Sequence, residues 1–369
     1  MKKQAVFVCL YFVVLVVLAA LTFLLPAQVF SPNENRNLSQ MPELTGDAVL
    51  SGTFQSDLSS FLSDQIPGRE FWIGMNTSIK KLLGKQEING VYLGKDGYYF
   101  QQFTEDSFSQ NRMQGIFALM KSFAEKQSVP VTVMPVPTPG VVLADKLPAN
   151  APMYDADKAW SSLESALPEG SFIDLRQDFI NAQQDLFYRT DHHWTAQGAY
   201  LAYKAYCAQQ GISPKALSDF DLKTVSDQFY GTIYSKTLDT ATRPDCIQAP
   251  QSLPELTVIF DGKETKTSLY DESKLTEKDK YAYFFGGNYG RVDIQTETQN
   301  GKRLLIIKDS FANSMVPYLL EDYERIIMID LRYYSGKVSQ VAEESGITEI
   351  LFLYEMTNLL TDTGIAKLS

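Results

Sequence analysis

Histidine is nearly missing from this chain: its 369 residues contain two, adjacent at His192 and His193. Any mechanism that needs an imidazole is therefore confined to one place. A metal centre is poorly supplied for the same reason. Asp191 precedes the pair, but no second cluster of His, Cys or paired carboxylates completes a ligand set at a recognisable spacing, so neither a metal nor a cofactor is expected. Cysteine is almost as scarce, at three. Cys9 falls in an apolar run, which leaves Cys207 and Cys246 able to form a disulfide if geometry permits, and one such bridge does not staple a fold. Lys and Arg, 33 against 44 Asp and Glu, form no cluster interleaved with aromatics, so nothing here is a footprint for nucleic acid. Internal repeats and low-complexity tracts are also missing.

Long apolar runs are limited to one. Residues 5–25 have Thr22 as their single polar interruption, behind Lys2 and Lys3, and this length is enough for one membrane-crossing helix. The two lysines place the N-terminus in the cytoplasm, so the rest of the chain is expected outside the cell membrane as a single-pass protein. A cleaved signal peptide is the competing reading and would make the protein secreted. Leu24-Leu25-Pro26-Ala27-Gln28 lacks a clean small-x-small cleavage site, which favours an anchor over 1–28. Residues 29–88 read as a tether followed by short helices. The stretch 30–46 carries Pro, Asn, Ser and charge without period, and 53–62 and 69–83 have apolar residues at helical spacing around an Asp64-Gln65-Ile66-Pro67-Gly68 turn.

From about residue 89 to 369 the pattern predicts one α/β domain. Gly90 to Phe100 alternates around Lys95-Asp96-Gly97 as a hairpin. Apolar runs of strand length at 131–135, 172–175, 304–307, 325–331 and 350–354 alternate with helical patterns at 107–127, 196–210, 313–324 and 337–345. Such alternation predicts a central, mostly parallel sheet with helices on both faces. The stretch 224–300, rich in Thr, Asp, Gly and Tyr, reads as an irregular or antiparallel insertion.

Two elements carry chemistry. Thr195 is a good N-cap for a helix from Ala196, so Asp191-His192-His193-Trp194 occupies the loop before a helix. Asp191 and His193, two residues apart, can fold together so that the carboxylate accepts the imidazole N–H and fixes its tautomer. The second element, Leu304 to Asn313, is a buried strand that stops at Asp309-Ser310 and turns into a helix. Ser310 then stands at a carboxyl strand end, where open α/β sheets hold their ligands, and His193 can supply the base a serine nucleophile needs. Taken singly, the loop also fits a capped turn and Asp309-Ser310 also fits a helix cap. Further candidates for an oxyanion or substrate contact are Gly231, through its backbone N–H, Asn313, and Arg332 at another strand end. A plain turn glycine is the stronger reading of Gly231, and a structural ion pair fits Arg332 equally well.

Asp191-His192-His193-Trp194, together with Asn35-Arg36, Pro42, the 64–69 segment, Gly90-Val-Tyr-Leu-Gly-Lys-Asp-Gly, Lys308-Asp309-Ser310 and Asp330-Leu-Arg332-Tyr, resembles the DHHW proteins of bacterial cell surfaces. That family is similar to the alginate O-acetyltransferases. The resemblance implies an SGNH-hydrolase-like three-layer sandwich, with Asp191 as orienting acid, His193 as base and Ser310 as nucleophile. His192 falls at the motif's variable position and is given no catalytic role. The glycine that usually precedes Asp-Ser in SGNH enzymes is Lys308 here. The resemblance further implies a cell-surface polysaccharide as acceptor and a membrane-bound O-acyltransferase as a partner supplying acyl groups. The expected function is O-acyl transfer, chiefly O-acetyl. An esterase using the same site, or a non-catalytic scaffold binding polysaccharide or an acyltransferase, stand as alternatives.

Overall fold

The computed structural model describes every residue except Met1, Asn35, Gln183 and Ser369, so Asn35 of the upstream motif lies outside the described residues. The chain forms two compact units, Met1–Asn89 with Tyr234–Thr242, and Gly90–Ile233 with Arg243–Ser369.

In the first unit the apolar run folds as helix α1 (Lys2–Leu24). Its Val6–Leu24 stretch has a mean hydropathy of 2.9 and is only 6% buried. A helix apolar all round and uncovered by protein is long and greasy enough to cross a bilayer. Helices α2 (Thr53–Gln65) and α3 (Arg69–Leu82) follow, separated by the Ile66-Pro67-Gly68 turn, where Gly68 takes φ +69°. The stretch read as a plain tether is fastened to α2. Arg36 donates to both oxygens of Asp64 at 2.9 and 2.6 Å, and the Ser39 N–H adds a third bond at 2.8 Å. The Arg36 fork, despite some desolvation, holds the Asp64 carboxyl down at about 2.

The second unit begins with a hairpin of β1 (Val91–Leu93) and β2 (Tyr99–Gln101), then α4 (Gln110–Lys126), β3 (Val131–Val136), α5 (Ala156–Ala166) and α6 (Ala196–Gln210). The antiparallel pair β4 (Leu222–Phe229) and β5 (Asp245–Pro250) precedes β6 (Leu256–Phe260), β7 (Glu264–Lys266) and β8 (Arg291–Thr296). The chain continues through β9 (Arg303–Lys308), α7 (Ala312–Leu319), β10 (Arg325–Ile329), α8 (Val338–Glu344), β11 (Glu349–Glu355) and α9 (Met356–Thr361).

Seven of these strands form one sheet in the order β7-β6-β8-β10-β9-β11-β3. The expectation of a mostly parallel sheet needs correction. The pairings β10-β9, β9-β11 and β11-β3 are parallel, but β7-β6, β6-β8 and β8-β10 are antiparallel, which makes the sheet mixed. The antiparallel half comes from the 224–300 stretch, which supplies three strands to this sheet and also holds β5 and most of β4. The run at 172–175 makes no strand. Phe172 forms an isolated parallel bridge with Val133, and a helix starts at Arg176 before a ladder can extend.

Alternation along the strands sends neighbouring side chains to opposite faces. Leu304, Ile306, Ile326 and Met328 join a core with Ala199 and Tyr203 of α6 and Met315 and Leu319 of α7. Leu305, Ile307, Ile327 and Ile329 join another with Ile116 and Met120 of α4, Trp160 of α5, Val341 of α8 and Leu360 of α9. Each fully buried Leu or Ile contributes about 1.5–3 kcal/mol, so these layers fix the strand ends that carry the site. Cys207 is buried in α6, Cys246 is exposed, and both are free thiols.

Candidate active site

Thr195 caps α6 through a hydrogen bond from Gly198 N–H, so the loop before it is pinned at one end. Trp194 anchors it sideways: the indole N–H donates to Ser314 Oγ at 2.8 Å and to the Phe311 carbonyl at 3.1 Å. At the other end, Asp245 of β5 accepts from Arg189 N, Thr190 N and Thr190 Oγ1, the last at 2.6 Å. The loop thus hangs between α6, α7 and β5, with Asp191 and His193 facing inward.

Asp191 is 1% exposed, His193 5% and Ser310 7%. Asp191 Oδ1 accepts from His193 Nδ1 at 2.5 Å and from the His193 backbone N–H at 2.9 Å. Its other oxygen accepts from Thr232 N at 2.7 Å and Thr232 Oγ1 at 2.9 Å. Burial pushes this carboxyl upward, but the adjacent His192 and His193 rings and the hydrogen bonds outweigh it and hold it below the usual carboxylate range. His193 Nε2 lies 2.7 Å from Ser310 Oγ across 117 residues of sequence. With Nδ1–H directed at Asp191, Nε2 is the ring nitrogen left to accept a hydrogen bond from the Ser310 hydroxyl. The Tyr281 ring stacks on His193 with centroids 3.7 Å apart, and its hydroxyl bonds Ser314 Oγ at 2.9 Å.

Ser310 lies two residues past the end of β9, and the intervening Asp309 holds that strand end from beneath. The Asp309 carboxylate accepts from Phe311 N, Glu355 N and Asn358 Nδ2 at 3.0, 2.8 and 2.8 Å. Burial raises its pKa even so, and Glu355 beside it is pushed up to about 8 by burial and by the Asp309 charge.

Lys308 is buried, and its ammonium donates to Asn313 Oδ1 at 2.9 Å and Asn288 Oδ1 at 3.4 Å, 3.6 Å from Asp330. Desolvation lowers its pKa to about 8 against the pull of Asp330. An ammonium can only donate, so it fixes the Asn313 amide with oxygen toward Lys308 and nitrogen away. That nitrogen donates one proton to Asn288 Oδ1 at 3.2 Å and has a second to offer.

The other sequence candidates take different parts. Gly231 does not hold its N–H open for an oxyanion, because that N–H donates to Thr190 Oγ1 at 3.1 Å. It supplies room instead: a Cβ there would sit 2.2 Å from Asp191 Cβ. Arg332 is held by Asp330 at 2.9 and 2.6 Å, the ion-pair alternative. His192 Nδ1 bonds Thr232 Oγ1 at 2.8 Å. The ligand atoms of Asp191, His192 and His193 converge within 4.8 Å, but they are spent on one another, on Ser310 and on Thr232. Thr232, Asp245, Tyr281 and Asn288 were not foreseen, since all fall in the stretch read as an insertion.

The sequence that builds this loop and strand end is a known one. Residues 168–329 match the DHHW protein family. The DHHW segment therefore covers Asp191, His193 and Ser310. Among solved structures, a DHHW family protein from Eubacterium siraeum is 25% identical, with a TM-score of 0.66 over 76% of this chain and 96% of its own. Bacillus cereus PatB1 with a sulfonyl adduct is 21% identical, with a TM-score of 0.61 over 74% and 96%. The O-acetyltransferase domain of Pseudomonas putida AlgJ is a looser likeness, 14% identical with a TM-score of 0.47 over 76% and 95%. No curated protein sequence matches the chain significantly.

Proposed function

We propose that this DHHW protein is a serine-dependent O-acyltransferase, chiefly O-acetyl, acting on hydroxyls of a cell-surface polysaccharide. The single observation that carries the reading is the unbroken run of hydrogen bonds Asp191–His193–Ser310 at 2.5 and 2.7 Å. In this reading residues 89–369 form an SGNH-hydrolase-like three-layer catalytic domain, and 1–28 anchor it on the extracytoplasmic side of the membrane. A membrane-bound O-acyltransferase would deliver the acyl group.

Ser310 Oγ attacks the carbonyl carbon of an acyl ester or thioester while His193 Nε2 takes its proton. The bond to the leaving group breaks, and that group departs with the proton from His193. Attack by a sugar hydroxyl on acyl-Ser310 repeats the exchange in reverse: the acyl group moves to the sugar and the proton returns to serine. The carbonyl oxygen gathers negative charge in each half, and the second N–H of Asn313, beside Ser310 in sequence, is a donor suited to it. Water in place of the sugar gives the esterase reading, which differs only in the acceptor.

The test is to treat the full chain in detergent with p-nitrophenyl acetate and to locate acetyl on Ser310 by mass spectrometry. Ser310→Ala and His193→Ala should each remove acylation by orders of magnitude while retaining the fold, since members of one catalytic unit fail together. Acylation near the parental rate in either variant would end the proposal. Product on an oligosaccharide acceptor, above donor hydrolysis, separates transferase from esterase.

A further inference from the structure

Helix α3 is amphipathic with its faces reversed. Gly74 and Thr77 form the face that meets protein: Thr77 Oγ1 donates to the Thr237 carbonyl at 2.6 Å, and a Cβ on Gly74 would lie 2.8 Å from the Leu238 carbonyl oxygen. Lys81, a turn further along, pairs with Asp239. Phe71, Met75, Ile79 and Leu82 recur at helical spacing along another face and are 65, 39, 49 and 87% exposed. A surface helix of a globular protein turns such a stripe toward its core. In α3 small and polar side chains do the packing, and the apolar ones point away from protein.

The stripe belongs to the unit that carries α1. Among the described residues beyond Gln28, twelve large apolar side chains are exposed in the first unit against four in the longer second one, so uncovered apolar surface is concentrated next to the span. The exit of α1 is also tied to the helices that follow. Phe23, in its last turn, lies 6.1 Å ring to ring from Phe61 of α2. Gln28 exchanges two hydrogen bonds with Gln65 at the end of α2, its N–H to Gln65 Oε1 at 2.8 Å and Gln65 Nε2 to its carbonyl at 2.9 Å. One cavity of about 560 Å³ is lined both by Leu25 and Pro26, directly after α1, and by Arg69 and Phe71 in the first turn of α3. A helix that crosses a bilayer brings the headgroup layer to its exit, so Phe71 stands at that layer.

The rest of α3 suits the same layer. Its 14 residues span roughly 21 Å at 1.5 Å each. Trp72 flanks the stripe, its indole N–H held by the Pro67 carbonyl at 3.0 Å, and an amphipathic ring of this kind favours a membrane–water boundary. Lys80 and Lys85 lie at the far end beside Leu82, where long aliphatic stems can follow the apolar surface while the ammonium groups meet lipid phosphates.

We propose that α3 lies flat in the headgroup–acyl boundary of the bilayer that α1 crosses, with Phe71, Met75, Ile79 and Leu82 immersed in lipid. The first unit then has two attachments. A span alone lets a unit swivel on its stalk, whereas a second contact fixes which side of that unit faces the surface. The inference rests on the reading of 1–28 as an anchor and is independent of acyl transfer.

The experiment reconstitutes the full chain into phosphatidylcholine–phosphatidylglycerol vesicles, with and without bromine on the acyl chains, and reads tryptophan fluorescence. Trp160 and Trp194 are fully buried, so lipid bromine reports on Trp72. Fluorescence should fall in brominated vesicles, and Trp72→Phe should abolish the loss. Leu82→Trp, placed in the Trp72→Phe chain, should restore it, which separates a helix lying flat from one that rises off the surface. Adding Ile79→Asp should remove the quenching at position 82, because a carboxylate is costly in lipid; Ile79 is exposed, so the fold tolerates the change. Chains that float with the vesicles yet show quenching at neither position, or at position 72 alone, overturn the proposal. Quenching that persists in Trp72→Phe overturns it too. Unquenched chains that sediment as dimers would give the stripe to a second copy instead of lipid. Chains that do not float with vesicles overturn the anchor reading and this proposal together.

Discussion

Replacing Asp191 by asparagine changes one atom and reverses the chemistry of the site. The carboxylate meets four donors: His193 Nδ1 and N on one oxygen, Thr232 N and Oγ1 on the other. An amide has one oxygen, so one side must set an NH₂ against donors. With the oxygen toward Thr232, the NH₂ faces His193, and the imidazole is stable only with Nδ1 bare. Its proton then sits on Nε2, 2.7 Å from Ser310 Oγ, where a base is required. The same substitution in a Ser-His-Asp protease lowers kcat about 10⁴-fold, or about 5.5 kcal/mol, and a fall of that order is expected here. With the amide reversed, the half-buried Thr232 N–H loses its acceptor. Either way stability falls by about 1–3 kcal/mol. The assay pairs the rate of Ser310 acetylation by p-nitrophenyl acetate with thermal unfolding of the same preparation. An Asp191→Asn variant that is folded and acylates within tenfold of the parent would refute the base assignment.

Gly231→Ala should damage the same contact from behind, because the added carbon falls 2.5 Å from Asp191 Oδ2; acylation should drop at least tenfold, read in the same assay. Lys308→Met removes the donor that orients the Asn313 amide, so kcat should fall about tenfold or more with acceptor KM unchanged; steady-state kinetics showing the loss in KM alone would contradict this. Glu355 keeps its proton up to about 8 in the fold, whereas the unfolded chain gives it up near 4.3. Between those values the folded state binds more protons, so stability declines as pH rises through the window, by a few kcal/mol in order of magnitude. Glu355→Gln should flatten that decline in denaturant titrations run from pH 4.5 to 8, and an unchanged slope would count against the buried-acid assignment.

The parts of the molecule legible in the sequence were those with strong local signals. The apolar runs of β3, β9, β10 and β11 and the Thr195 cap of α6 needed no knowledge of their partners. The histidine loop was legible because no other histidine competes with it. The antiparallel half of the sheet was harder, being short strands with one polar face. Arg291-Val-Asp-Ile-Gln-Thr does alternate as a half-buried strand should, and that signal was available. Thr232, Asp245 and Tyr281 had no local signature at all. Each acts on the loop from 41 to 88 residues away, a relation only tertiary packing establishes.

The stacking of Tyr281 on His193 at 3.7 Å, with His192 at 3.9 Å from the same ring, leaves the imidazole no freedom to swing between reactants. In the proposed cycle, a base held this way would hand its proton to departing group and incoming hydroxyl at one and the same spot. The two must therefore occupy a common vestibule in turn, so a bulky first product that lingers would throttle the second half of the cycle.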